Sequence, residues 1–154
     1  MNKAIIFDFY RTIFDPETNS LDPGALEILG GLGRKHKLFL VSTGGKERKK
    51  LIDSFQLKRF FVKILVLEKE KRKEDFLYCL KGIKCRLKET VVIGDALSSE
   101  IAVGKSLGMK TVWFKNGIFA TQTVSEENKP DYVARSLLKL SELIAKIERR
   151  RDKK

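Results

Sequence analysis

Four short stretches hold the side chains that could do chemistry, and each directly follows an apolar run. Asp8 follows Ala4-Ile5-Ile6-Phe7 and leads into Phe9, Tyr10, Arg11 and Thr12, while Ser42-Thr43-Gly44-Gly45 follows Leu38-Phe39-Leu40-Val41. The cluster Glu68-Lys69-Glu70-Lys71-Arg72-Lys73 follows the run 62–67, and Gly94-Asp95 follows the run 90–93, with Glu100 shortly after. These residue types permit phosphoryl transfer through a covalent aspartyl intermediate. A carboxylate that attacks phosphorus repels the phosphate it attacks, so a cation must lie between them. Asp8 and Asp95, on neighbouring strands, could hold Mg²⁺, a hard ion that prefers oxygen ligands. Ser42 or Thr43 would donate to a phosphoryl oxygen, with Gly44 and Gly45 letting the backbone come close. A lysine after the third run would neutralise the remaining charge.

Composition removes most other chemistries. The chain of 154 residues has one histidine, His36, inside Arg34-Lys35-His36-Lys37, so a zinc site built from several histidines is excluded. A surface histidine at a helix end is the expectation for it. The two cysteines, Cys79 and Cys85, lack a CxxC partner and are too few for a disulfide scaffold. They read as reduced thiols of a cytoplasmic protein. No run approaches ~18 apolar residues, and Asp8 and Arg11 interrupt the first apolar stretch, so neither a membrane span nor a secretion signal is expected. A net charge of +12, from 32 basic and 20 acidic residues, would draw polyanions, nucleic acid among them. No recognition helix or aromatic-studded sheet face supports that partner.

The elements that must position these residues follow from the alternation of the chain. The runs 4–7, 38–41, 62–67, 90–93 and 111–114 are rich in β-branched and aromatic residues, which suits parallel strands covered on both faces. Helices are predicted over 23–35, with Asp22 as N-cap and Pro23 at the first position, and over 46–55, 74–81, 99–107 and 136–149. This pattern predicts an α/β fold, a doubly wound, mainly parallel sheet of five to six strands with helices on both faces. Ligands bind such sheets beyond the carboxyl ends of the strands, where the residues above lie. One domain over 1–148 and a basic tail over 149–154 account for the chain. Trp113, among hydrophobic neighbours, is assigned to the core.

In order and spacing these motifs resemble the haloacid dehalogenase superfamily of hydrolases. FDFYRTIF is similar to its first motif, Asp-x-Asp-x-Thr at a strand end, and LFLVSTGG to its second, a strand ending in Ser or Thr. The lysine cluster ahead of a helix matches the third motif, and VVIGDALSSE matches the fourth. IAVGKSLGMKTVWFKNG and PDYVARSLLKLSELI resemble the family's closing segments. The resemblance implies a Mg²⁺-dependent hydrolase of phosphorylated substrates. It makes Asp8 nucleophile and metal ligand, gives the metal a backbone carbonyl from Tyr10, and completes the ligands with Asp95. Ser42 would bind phosphate beside Thr43 and Gly44, paired with Lys73 or Lys71; Lys73 is preferred because it directly precedes the helix. Glu100 would orient Asp95 or the metal's shell, or else serve only as an acid at a helix N-terminus.

Two departures from the family pattern bear on function. The second acid of the first motif protonates the leaving group, and here that position holds Tyr10, a phenol with an ordinary pKa near ~10. Tyrosine there is the pattern of the dehalogenase branch, but that branch inserts a helical cap between the first two motifs. The stretches 9–41 and 42–73 leave no room for one, so a capless core is expected and dehalogenation is disfavoured. Its open site favours large substrates or a lid from another copy of the chain. Arg11, where the family prefers glycine, would reach an anionic substrate or lie on the surface. The leading reading is a phosphatase limited to activated esters; the alternative is a phosphate-binding or interaction module that has lost turnover. A receiver domain is a poor fit, because only Asp8 stands where an acidic pair is needed.

Overall fold

The computed structural model describes residues 3–152. Its elements are β1 (Lys3–Phe7), β2 (Phe14–Asp15), β3 (Ser20–Leu21), α1 (Ala25–Gly33), β4 (His36–Thr43), α2 (Gly45–Ser54) and β5 (Lys63–Leu67). There follow α3 (Lys73–Leu80), β6 (Val91–Gly94), a π-helical turn at Leu97–Ile101, α4 (Ala102–Ser106), β7 (Lys110–Phe114), β8 (Tyr132–Ala134) and α5 (Leu140–Asp152). Six strands form one sheet in the order β5-β4-β1-β6-β7-β8, and every pairing within it is parallel. The chain winds outward from β1 through β4 to β5, then crosses back to β6 and winds the other way. The α/β, doubly wound expectation holds, and β1 and β6 flank the point where the winding reverses.

Alternation along β1 feeds two cores. Ile5 and Phe7 join the larger one, with Ile28, Leu29 and Leu32 of α1, Ile52 of α2, and Ile144 and Ile147 of α5. Ala4 and Ile6 face the smaller one, with Phe76, Cys79 and Leu80 of α3 and Val103 of α4. Burial on both faces is why these strands read as unbroken apolar runs. Among the described residues no separate domain interrupts β1 to β4 or β4 to β5; the only elements there are the β2–β3 hairpin and α1 in the first interval, and α2 and a one-turn 3₁₀ segment in the second. No described helix is long and apolar enough to cross a membrane.

Several local expectations need correction. Asp22 is not the cap of α1: Gly24 holds that position, and Asp22 Oδ1 accepts its N–H at 3.0 Å in the turn before the helix. His36 is neither exposed nor at a helix end. It opens β4, is 7% exposed, and sets Nε2 3.2 Å from Glu148 Oε1 of α5. Residues 99–107 are not one regular helix, because Ser99 (φ −116°, ψ −107°) breaks the turn ahead of α4. The last helix runs on to Asp152, so Arg149 to Asp152 continue α5; Lys153 and Lys154 lie outside the described residues. Cys79 is buried, with burial pushing its thiol up to about 11, and both cysteines are free.

Candidate active site

Asp8 is the residue immediately after β1, and its N–H donates to the Ile93 carbonyl of β6 at 2.9 Å. Because Phe7 pairs with Ile93, Asp8 and Asp95 emerge from adjacent strand ends. Glu100 arrives differently. The kinked turn carries it back beneath Gly94, where Oε1 accepts the Ala96 N–H at 3.0 Å. A Cβ at position 94 would overlap Glu100 Oε1 and its carboxyl carbon, so only glycine leaves room for this acid. Replacing Gly94 by Ala is therefore expected to expel Glu100 and lower stability by about 1–3 kcal/mol, measured by thermal or urea unfolding.

Lys71 closes the cluster. Its Nζ donates to Asp8 Oδ1 at 2.7 Å and to Glu100 Oε2 at 3.0 Å. Asp8, Lys71, Asp95 and Glu100 are all less than one-tenth exposed. Ligand oxygens of Asp8, Asp95 and Glu100 lie within 4.8 Å of one another. Burial raises the Asp8 carboxyl from 3.8 to about 6, against the pull of Lys71, and burial likewise raises Asp95 and Glu100. Burial alone would lower Lys71, but Asp8 and Glu100 outweigh it and raise the ammonium above its usual value.

The lysine that reaches this cluster is Lys71, not Lys73. Asp75 Oδ2 accepts the Arg72 N–H at 2.9 Å, which starts α3 at Lys73 and leaves that side chain exposed. Lys71 lies two residues earlier in the lead-in and turns inward. Ser42, fully buried at the end of β4, donates from Oγ to the Thr43 carbonyl at 3.1 Å. Thr43 is half-buried beside it, and Gly44 caps α2 with φ 116°, a conformation that suits glycine. Tyr10 leaves β1 in a tight loop, its ring stacked on Phe14 with centroids 5.5 Å apart. Arg11 reaches inward, Nε donating to Asp95 Oδ2 at 2.8 Å, which removes the surface alternative.

Residues outside the sequence motifs complete the site. Arg48 of α2 donates to Ser42 Oγ at 3.3 Å, with its guanidinium carbon 4.0 Å from the Tyr10 ring centroid. Trp113 is a core residue as expected, yet its indole N–H also holds the Asp95 carbonyl at 2.9 Å. The segment between β7 and β8 folds over this corner. Phe119 stacks on the Arg11 guanidinium at 4.7 Å, and Gln122 Oε1 accepts the Leu97 N–H at 2.7 Å. Arg48 and Gln122 carry no local signal, since one sits in a run of charges and the other in a loop. Trp113 is the exception: a lone tryptophan near a strand end could have been flagged for its N–H.

Comparison with known proteins finds relatives of this chain. Residues 72–140 match the HAD-hydrolase-like family model. The glyceraldehyde 3-phosphate phosphatase of Pyrococcus furiosus is 31% identical over 129 residues, covering 79% of this chain and 53% of that protein. The structure of the HAD-hydrolase YfnB of Bacillus subtilis, bound to magnesium, superposes with TM-score 0.70 at 27% identity, over 81% of this chain and 56% of that one. The chain belongs to the haloacid dehalogenase superfamily. A HAD phosphatase from Thermococcus onnurineus aligns with TM-score 0.68 at 25% identity, over 81% of this chain and 58% of that one. The chain thus spans about half the length of the curated relatives it matches.

The superfamily implies a divalent metal, and the donor set here can be tested against one. All three candidate ligands are carboxylates, which suits a hard ion that takes oxygen. Ligand oxygens of Asp8 and Asp95 lie within 4.8 Å of each other, and the Asp95 charge contributes to the raised Asp8 carboxyl. Two buried carboxylates so placed need a proton or a cation between them. A divalent ion meets that need, so the residues fit the group.

Proposed function

We propose that this chain is a Mg²⁺-dependent phosphatase-like hydrolase that forms an aspartyl phosphate on Asp8. The observation that carries the reading is the convergence of Asp8, Asp95, Glu100 and Lys71 beyond the central strands, with Ser42 at the neighbouring strand end and Arg48 of α2 beside it. Mg²⁺, held by Asp8 and Asp95 with Glu100 behind them, would offset the charge of nucleophile and phosphate. The Asp8 oxygen not held by Lys71 attacks phosphorus as the bond to the leaving oxygen breaks. Lys71 fixes the carboxylate's rotation, while the Ser42 hydroxyl and the Arg48 guanidinium bind phosphoryl oxygens. Water then attacks the phosphorus, which frees Asp8 and inorganic phosphate. Phosphatase names among the relatives support phosphate esters as the substrate class.

Tyr10 narrows that class. The leaving-group side of the site carries a phenol and two guanidiniums, with Arg11 and Arg48 4.9 and 4.0 Å from the Tyr10 ring centroid. Guanidiniums stabilise a departing anion but do not give it a proton. Leaving groups that depart as stable anions, carboxylates or phenolates, are favoured over alkoxides. Phosphate release with Mg²⁺ should therefore fall in the order acetyl phosphate, aryl phosphate, sugar phosphate. Tyr10→Asp is expected to raise sugar phosphate turnover by about 10²-fold. Equal rates on acetyl and sugar phosphates would refute the restriction, and no metal-dependent release from any ester would refute the hydrolase. The Arg11–Asp95 ion pair favours one second reading, a phosphate-binding module without turnover, in which Tyr10→Asp restores catalysis.

A further inference from the structure

We propose that Arg11 is a built-in rival for the divalent cation at Asp95 and that it sets how tightly this site holds metal. The inference rests on the metal reading above and goes beyond it. Charge is apportioned unevenly among the three buried acids. Lys71 serves Asp8 and Glu100, and the cation left to Asp95 is Arg11, whose Nε lies 2.8 Å from Oδ2. Asp95 is 2% exposed and the Arg11 side chain 21%, so this pair is shielded from water on one side and open on the other. An ion pair of that kind is far stronger than a solvated one.

The backbone shows that the arrangement is specific. Arg11 has φ 63°, in the left-handed region that branched or long side chains rarely enter. Such a conformation persists only where the surroundings hold it. Here the Arg11 N–H donates to the Phe14 carbonyl at 2.7 Å, and the guanidinium is flanked by the Tyr10 and Phe119 rings at 4.9 and 4.7 Å. Backbone and rings together aim one donor at Asp95. A divalent ion on the same carboxylate would meet a like charge at close range, so the metal binds only as the guanidinium withdraws. Affinity is lowered by the pair it must break.

The test is a Mg²⁺ titration of the metal-free full chain by calorimetry, with Mn²⁺ binding followed by electron paramagnetic resonance. Arg11→Gly and Arg11→Asn both tolerate positive φ and both remove the charge. Each is expected to bind Mg²⁺ at least tenfold more tightly than the native chain. In the native chain, the ¹⁵N resonance of Arg11 Nε should move as Mg²⁺ is added, a readout that needs no variant to fold. Unchanged or weaker affinity in both variants overturns the inference while leaving the metal site standing. Tightening in Arg11→Gly alone assigns the effect to backbone relief and overturns it too, as does an Arg11 resonance that ignores saturating metal. No binding by any of the three chains overturns this inference and the metal reading together.

Discussion

Asp8→Asn should abolish metal-dependent phosphate release, by ~10³-fold or more, and at the same time stabilise the metal-free protein at neutral pH. The second effect follows from burial. In the fold, Asp8 takes up its proton at about 6, above its ordinary 3.8. Between those values the folded state binds more protons than the unfolded chain, so native stability falls as pH rises through about 4 to 6. Above pH 6 the ionised carboxylate costs the fold about 3 kcal/mol. Asparagine avoids that cost, and because the pull of Lys71 is already part of the Asp8 value, a net gain of about 3 kcal/mol is expected. Urea unfolding of both chains from pH 3.5 to 7.5, with chelator present, checks this. The two curves should meet near pH 4 and separate above it. A native chain that gains stability across that interval would contradict the burial of Asp8 as a carboxylate at the site.

Lys71→Met should cost more stability than any other single change at the site, and Lys73→Met should be silent. Removing the ammonium leaves Asp8 and Glu100 buried and facing each other without a cation. Breaking a buried pair in this way costs about 3–5 kcal/mol, which lowers the melting temperature of a domain this size by roughly 10 °C. The loss should shrink toward pH 4, where both acids bind protons. Phosphate release should fall by about 10²-fold or more. Lys73 is exposed at the start of α3, so its replacement is expected to move stability by no more than about 0.5 kcal/mol. Equal effects from the two substitutions, read by calorimetry and phosphate release, would dissolve the distinction between them.

Those two lysines show where sequence reasoning runs out. Asp8, Ser42 and Asp95 were legible because each ends an apolar run, and a parallel sheet brings the ends of its strands to one edge. Period and topology suffice for that. The choice of lysine depends on the first residue of α3, which a backbone N–H to Asp75 settles and no pattern announces. Glu100 was visible as an acid near a glycine, but its approach beneath Gly94 needs a kinked turn that reads as plain helix in sequence. Arg11 was noticed as an oddity. Its direction, inward to Asp95, follows from a positive φ that one-letter code does not carry. Arg48 was hidden among charges that an exposed helix face would also have.

The two faces of the sheet do not contribute equally to what happens at its edge. Lys71 and Glu100 come from the lead-ins to α3 and α4, which rest on the smaller core, whereas Tyr10, Arg11 and Arg48 adjoin the larger one. Cooperative units of a domain open at different free energies, and the thinner layer has less apolar surface to hold it. Warming would let α3 and α4 lift while β1, β4 and α5 stay docked, withdrawing Lys71 and Glu100 from Asp8. Loss of phosphate release is then expected at a lower temperature than global unfolding and reversible on cooling, which paired activity and unfolding scans would check.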